Sequence, residues 1–152
     1  MNQISTWREP PQMNTGAPEP AIHVMGNSLL LAYLASEHEW SGECEEFAVV
    51  EFTGVLQHIF GYPNDEALGG HPLYSKGLDH YAFNEILDSP YLEELGARNA
   101  LAFPGTETQF KELHHWVVTF HDETLEVIGS EATVRGRFIA TTAQQALSQY
   151  VT

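Results

Sequence analysis

Apolar positions along this chain recur mostly with a period of two, so the predicted elements are mainly strands. In "AIHVMGNSLLLAYLAS", Gly26-Asn27 suits a two-residue turn that needs positive φ, and the flanking apolar runs predict a hairpin over about 21–25 and 28–36. Leu29, Leu31 and Tyr33 fall on one face of its second strand, and Leu30, Ala32 and Leu34 on the other. With both faces apolar, that strand belongs inside a sheet covered on both sides. "FAVVEFTGVLQHIFG" is rich in Val, Phe, Thr and Ile and reads as a strand, with a helix over 52–60 as the competing element. Gly54 breaks its alternation and marks a bulge or a close approach. "LDHYAFNEIL", residues 78–87, alternates as a further strand.

Residues 114–129 predict a second hairpin. Trp116, Val118 and Phe120 share a face with Leu125 and Val127, and a tight loop over 121–124 pairs Phe120 with Leu125 and Val118 with Val127. His115, Val117, Thr119, His121, Glu126 and Ile128 lie on the other side, and "EATVRGRFIA" extends the meander as a third strand. Two segments read as helices. One is near 89–97, with Ser89 as cap and Pro90 in the first turn. The other is near 142–151, where Thr141 or Thr142 followed by Gln makes a capping box. The expected fold is therefore α+β, with a dominant antiparallel sheet of roughly five to seven strands as a meander, sandwich or half-barrel. Its strand order is left open. Residues 21–152 form one globular domain, and the proline-rich stretch 1–20 reads as a flexible N-terminal tail or an arm that Ile4 and Trp7 anchor.

Charge changes the picture of partners more than of fold. Six basic residues against twenty-one acidic ones give a net charge of −15. Phosphate backbones and anionic lipid surfaces are recognised by clustered Lys and Arg, so no nucleic acid and no membrane surface is expected as partner. A basic protein partner, or solubility alone, fits the charge. Much of the acid sits in a solvated connection at 37–46. Cys44 is the single cysteine, so no internal disulfide can form, and the glutamates beside it disfavour its thiolate. The N-terminus has no apolar signal-peptide core and the chain has no long apolar run, so a cytoplasmic protein is expected.

Candidate chemistry centres on histidine and carboxylate. On a strand, His114 and His115 point to opposite faces, and His115 and His121 stand about 20 Å apart along it. No HExxH, His-x-His, cysteine cluster or calcium loop occurs, so neither a metal nor a cofactor is expected. In the predicted register Thr119 faces Glu126 and His121 lies diagonal to it, either as a general base with its orienting group or as an exposed ion pair. Asp122 and Glu123 belong to the same turn. No G-x-S-x-G elbow and no phosphate-binding loop is present. The irregular stretch 61–77 brings Tyr62, His71 and Tyr74 among six glycines and prolines, as a contact loop or as a rigid crossover.

"GHPLY" at 70–74, "GL" at 77–78 and "TFHDETLEVIG" at 119–129 resemble bacterial proteins of uncharacterised function that pair such a loop with such a hairpin. The resemblance spans about 58–129 and implies that loop and hairpin lie close together; it names no activity. Two functions follow from the residues. The first is a non-enzymatic, immunity- or inhibitor-type module that binds a basic protein. The alternative is a small enzyme or ligand-binding domain with a His/carboxylate pocket formed by loop 61–77 and hairpin 114–126. The catalytic candidates are His71, His115, His121 and Glu126; the binding candidates are Tyr62, Tyr74, Asp122 and Glu123. Homodimerisation through exposed sheet surface is a third possibility.

Overall fold

The computed structural model describes residues 3–35 and 45–152. Most of the acidic connection, Cys44 and the last residue of the predicted first hairpin lie outside them. The described chain folds as α+β, with two antiparallel sheets and two α-helices. One sheet holds β2 (Ala21–Met25), β3 (Ser28–Leu34), β4 (Glu45–Thr53) and β9 (Glu131–Ala140) in that order. The other runs β1 (Ile4–Thr6), β6 (Phe83–Ile86), β7 (His114–Thr119), β8 (Thr124–Gly129) and β5 (Gln57–Gly61).

The alternation of β3 decides the layering. Leu29, Leu31 and Tyr33, with Ala48, Val50 and Phe52 of β4, pack on Phe83, Trp116, Val118, Phe120, Leu125 and Val127 of the other sheet. These side chains fill the space between the sheets, as in a sandwich. Phe52 and Trp116 meet with ring centroids 5.2 Å apart. The opposite face of β3 and β4, with Leu30, Ala32, Leu34, Phe47 and Val49, is covered by α2 (Ala143–Val151) through Ala143, Ala146 and Leu147. The Thr142 hydroxyl accepts the Gln145 N–H and caps α2.

Gly54 is a corner rather than a bulge within one strand. Residues 54–56 carry the chain from the four-stranded sheet to the five-stranded one, and Ser130 carries it back between β8 and β9. The two corners touch: the Ser130 N–H donates to the Thr53 carbonyl at 2.9 Å. Gly54 has φ +60, and a Cβ there would lie 2.3 Å from Ser130 Oγ. Gly26 has nearly the same φ, +59, with nothing within 4 Å. Gly26→Ala should therefore cost about 1 kcal/mol for the left-handed conformation alone. Gly54→Ala should cost about 2–3 kcal/mol, because Ser130 must also move. Urea unfolding of the two variants measures the difference, and equal losses would refute the contact.

Several expectations need correction. The β7–β8 register is shifted by two residues: Val118 pairs with Leu125, Trp116 with Val127 and Val117 with Glu126. The Phe120 N–H donates to the Glu123 carbonyl and closes a turn with only His121 and Asp122 at its tip. A two-residue shift keeps every side chain on its predicted face. Thr119 thus faces Thr124, not Glu126. β9 does not extend this meander; it pairs with β4 in the other sheet. The predicted strand 78–87 shortens to Phe83–Ile86. The Asn84 side chain accepts the Asp79 N–H and donates to the Asp79 carbonyl, which folds the preceding residues into a turn.

Residues 3–20 run along the sandwich as an arm. β1 pairs with β6, Met13 is buried in the inter-sheet core, and the Tyr33 hydroxyl donates to the Pro11 carbonyl at 2.6 Å. The outward face of the five-stranded sheet is covered by residues 62–82, which include two short 3-10 turns at Leu68–Gly70 and Tyr74–Lys76. Leu68, Leu73 and Leu78 pack there on Val117, Ile86 and Ile4. The polar side chains of that face fasten the loop backbone. Thr119 donates to the Asp79 carbonyl and accepts the Ala82 N–H, and Thr124 donates to the Pro63 carbonyl. Buried polar residues on a sheet face are satisfied here by loop backbone that would otherwise lack partners. No helix among the described residues is long and apolar enough to cross a membrane.

Candidate functional site

Glu126 stands on the outward face of β8, between Val117 of β7 and Ile59 of β5. Two imidazoles meet its carboxylate. His115 Nε2, one strand over, lies 3.0 Å from Oε1, and His71 Nε2, brought over by the loop, lies 3.0 Å from Oε2. Pro72 holds His71 in extended backbone, at φ −67 and ψ 137. His71 then accepts the Leu73 N–H at Nδ1, 3.0 Å away.

The hydrogen-bond directions follow from the ends of this chain. A nitrogen that accepts a backbone N–H carries no proton, so the His71 proton sits on Nε2 and points at Glu126. At the other end Ser89 caps α1 (Pro90–Ala102), and its Oγ accepts the Leu92 N–H at 3.3 Å. Its hydroxyl is therefore free to donate to His115 Nδ1 at 2.8 Å, which leaves His115 donating from Nε2 to Glu126. All four ring nitrogens are used. Glu126 receives one N–H on each oxygen and keeps further lone pairs.

Exposure separates the three groups. The His115 and His71 side chains are 2% and 7% exposed, whereas Glu126 is 23% exposed. Burial alone would push the Glu126 carboxyl up, but the hydrogen bonds from His115 and His71 outweigh it and lower it to about 2. A pocket of about 360 Å³ opens above it, lined by apolar Ile59, Pro72 and Leu73, by Tyr91 and by Glu94. The Tyr91 ring lies 5.8 Å from that of His115, and its hydroxyl donates to Gln57 Oε1 at 2.5 Å. Glu94 pairs with Arg98 at 2.6 Å in the open solvent of the helix surface.

The predicted site residues divide between two places. His71, His115 and Glu126 come together; His121 does not join them. It sits at the tip of the β7–β8 turn, not diagonal to Glu126, and its Nδ1 lies 2.9 Å from Asp65 Oδ2. That approach is close but off the line of a hydrogen bond, so the buried Nδ1 has no aligned acceptor. Asp65 also accepts the Tyr81 hydroxyl. That bond, with the His121 charge, holds its carboxyl below the usual range despite some burial. Asp122 and Glu123 belong to the same turn, where burial and then the Asp122 charge push the Glu123 carboxyl up. Tyr62 is 83% exposed, and Tyr74 stacks edge-on against His80 at 5.9 Å. Tyr62, Tyr74, His121, Asp122 and Glu123 all stand outside the lining of the Glu126 pocket.

Among the described residues no group of three or more His, Cys, Asp or Glu is arranged to hold a metal ion. No protein-family model, curated protein or solved structure matches the chain. Sequence reasoning missed Ser89, Tyr91, Gln57 and Ile59. In the sequence Ser89 shows only its cap, and a cap hydroxyl has a second hydrogen-bonding direction that only a neighbour in space can use. Ile59 carried no signal beyond strand periodicity.

Proposed function

We propose that the protein is a non-enzymatic binding module that captures a basic partner, with a cationic side chain of that partner seated in the pocket over Glu126. The observation that carries this reading is the wiring of the carboxylate. Glu126 faces the pocket with spare lone pairs and stays ionised, while every nitrogen of His71 and His115 is already engaged. A carboxylate held at about 2 is a poor general base near neutral pH, because an effective base has a pKa near the working pH. It serves well as a fixed negative charge. Ile59, Pro72 and Leu73 offer apolar surface to an aliphatic stem, and Tyr91 offers a ring edge or face to its charged head. The net charge of −15 favours the approach of such a partner at low salt.

A titration with n-butylguanidinium, followed on the ring signals of His71 and His115, tests this directly. Both sets of signals should shift at low salt, and the effect should weaken as salt is raised. The isosteric neutral n-butylurea should leave them in place. Equal binding of the urea by the wild-type protein would overturn the proposal, and that comparison depends on no variant.

A further inference from the structure

We infer that the free edge of β5 is the docking rail for that partner, which adds a basic β-strand to the five-stranded sheet and places one of its cationic side chains over Ile59 onto Glu126. This rests on the reading of the pocket given above. β5 ends its sheet and bonds to β8 alone. Among the described residues no backbone hydrogen bond reaches its outer side. Every other residue of such a strand directs an N–H and a C=O outward, ready for another chain. Edge strands in monomeric proteins are commonly blunted by Lys, by Pro or by an inward charge. "QHIFG" has none of these, and it leaves Ile59 50% and Phe60 36% exposed.

The other three edges differ. β1 is three residues long, β9 carries Arg135 and Arg137 in ion pairs with Glu51 and Glu46, and β2 borders none of the Glu126 pocket. β5 borders it directly, because Ile59 is the cross-strand neighbour of Glu126. A strand added beyond β5 lies two strand spacings from β8, about 10 Å. A Lys or Arg stem laid across Ile59 and met by the Glu126 stem spans that gap. On the opposite face the alternate residues of the added strand meet Phe60 and His58, which favours apolar side chains there. The occupant that fits is thus a segment with alternating basic and apolar residues.

The probe is a short blocked peptide of alternating arginine and valine, compared with two relatives. One is N-methylated at alternate amides and cannot complete a ladder; the other carries citrulline for arginine. The parent peptide should bind about tenfold or more tightly than either relative, a difference of about 1.4 kcal/mol. Its binding should shift the backbone amides of residues 57–61 and slow their hydrogen exchange. Phe60→Lys, which places a like charge on the edge, should weaken the parent peptide by a similar factor. If parent and N-methylated peptides bind alike while n-butylguanidinium still binds at Glu126, edge docking is overturned and the pocket reading survives. Failure of n-butylguanidinium and of both peptides overturns both. A dimer whose 57–61 amides are protected without peptide would assign the edge to a second copy of this chain and overturn the inference.

Discussion

Replacing Glu126 by alanine should lower the stability of the protein at neutral pH by about 2–4 kcal/mol, within the range seen when one partner of a buried charged network is removed. The substitution leaves the His71 and His115 N–H groups without their carboxylate acceptor, in surroundings where both rings are almost fully covered. The loss should be felt first by residues 62–82, because the His71–Glu126 contact helps to fasten that loop to the sheet. Hydrogen exchange at Leu73, whose N–H is held by His71 Nδ1, should accelerate before exchange in β7 and β8 does.

The same group sets an acid limit. Glu126 is held at about 2 in the folded protein against an ordinary 4.5 in the unfolded chain. A depressed carboxylate contributes stability that is fully present above the unfolded value and is lost as pH falls toward the folded one. The wild-type protein should therefore weaken between about pH 4.5 and 2, with Asp65 contributing in the same direction. Glu126→Ala should flatten most of that dependence. Urea midpoints of both proteins across this range decide the matter; parallel slopes would show that the carboxylate is not held as described.

The second large effect is expected between the sheets. Phe52 is fully buried and packs its ring on Trp116 of the opposite sheet. Phe52→Ala should cost about 3–5 kcal/mol, the usual loss for a large aromatic removed from a close-packed core. Leu101, 88% exposed at the end of α1, should change stability by about 0.5 kcal/mol or less on the same truncation. Denaturant unfolding monitored by tryptophan fluorescence measures both. The Phe52 variant should also show altered native fluorescence from Trp116. A cost below 1 kcal/mol at Phe52 would contradict the face-to-face packing of the two sheets.

Local pattern carried most of the elements and little of their arrangement. The alternation of β3 revealed a strand buried on both faces, and Ser89-Pro90 located the start of α1, because burial and capping act over a few residues. The hairpin faces were legible even though its register was not: a two-residue shift leaves side-chain parity unchanged, so the apolar pattern cannot distinguish the two registers. At Gly54 the broken alternation pointed to a bulge or a close approach, and the close approach is the one present, against Ser130. That the chain changes sheets there depends on Ser130, seventy-six positions further along the chain and packed against Gly54.

The site shows the same division. Period two separated His115 from His114, and composition marked 61–77 as the place to look for a second group. It could not reveal that His71 and His115 share one carboxylate, since the three residues come from a loop and two strands up to 55 positions apart. Local periodicity, capping and charge count were enough for the α+β class, the core faces, the two helices and the acidic character of the chain. The strand order, the covering of the outward sheet face by residues 62–82 and the wiring of Glu126 emerge from the folded arrangement alone. Each of these depends on which distant groups satisfy a buried polar atom or cover an apolar face, and that is settled by packing in three dimensions.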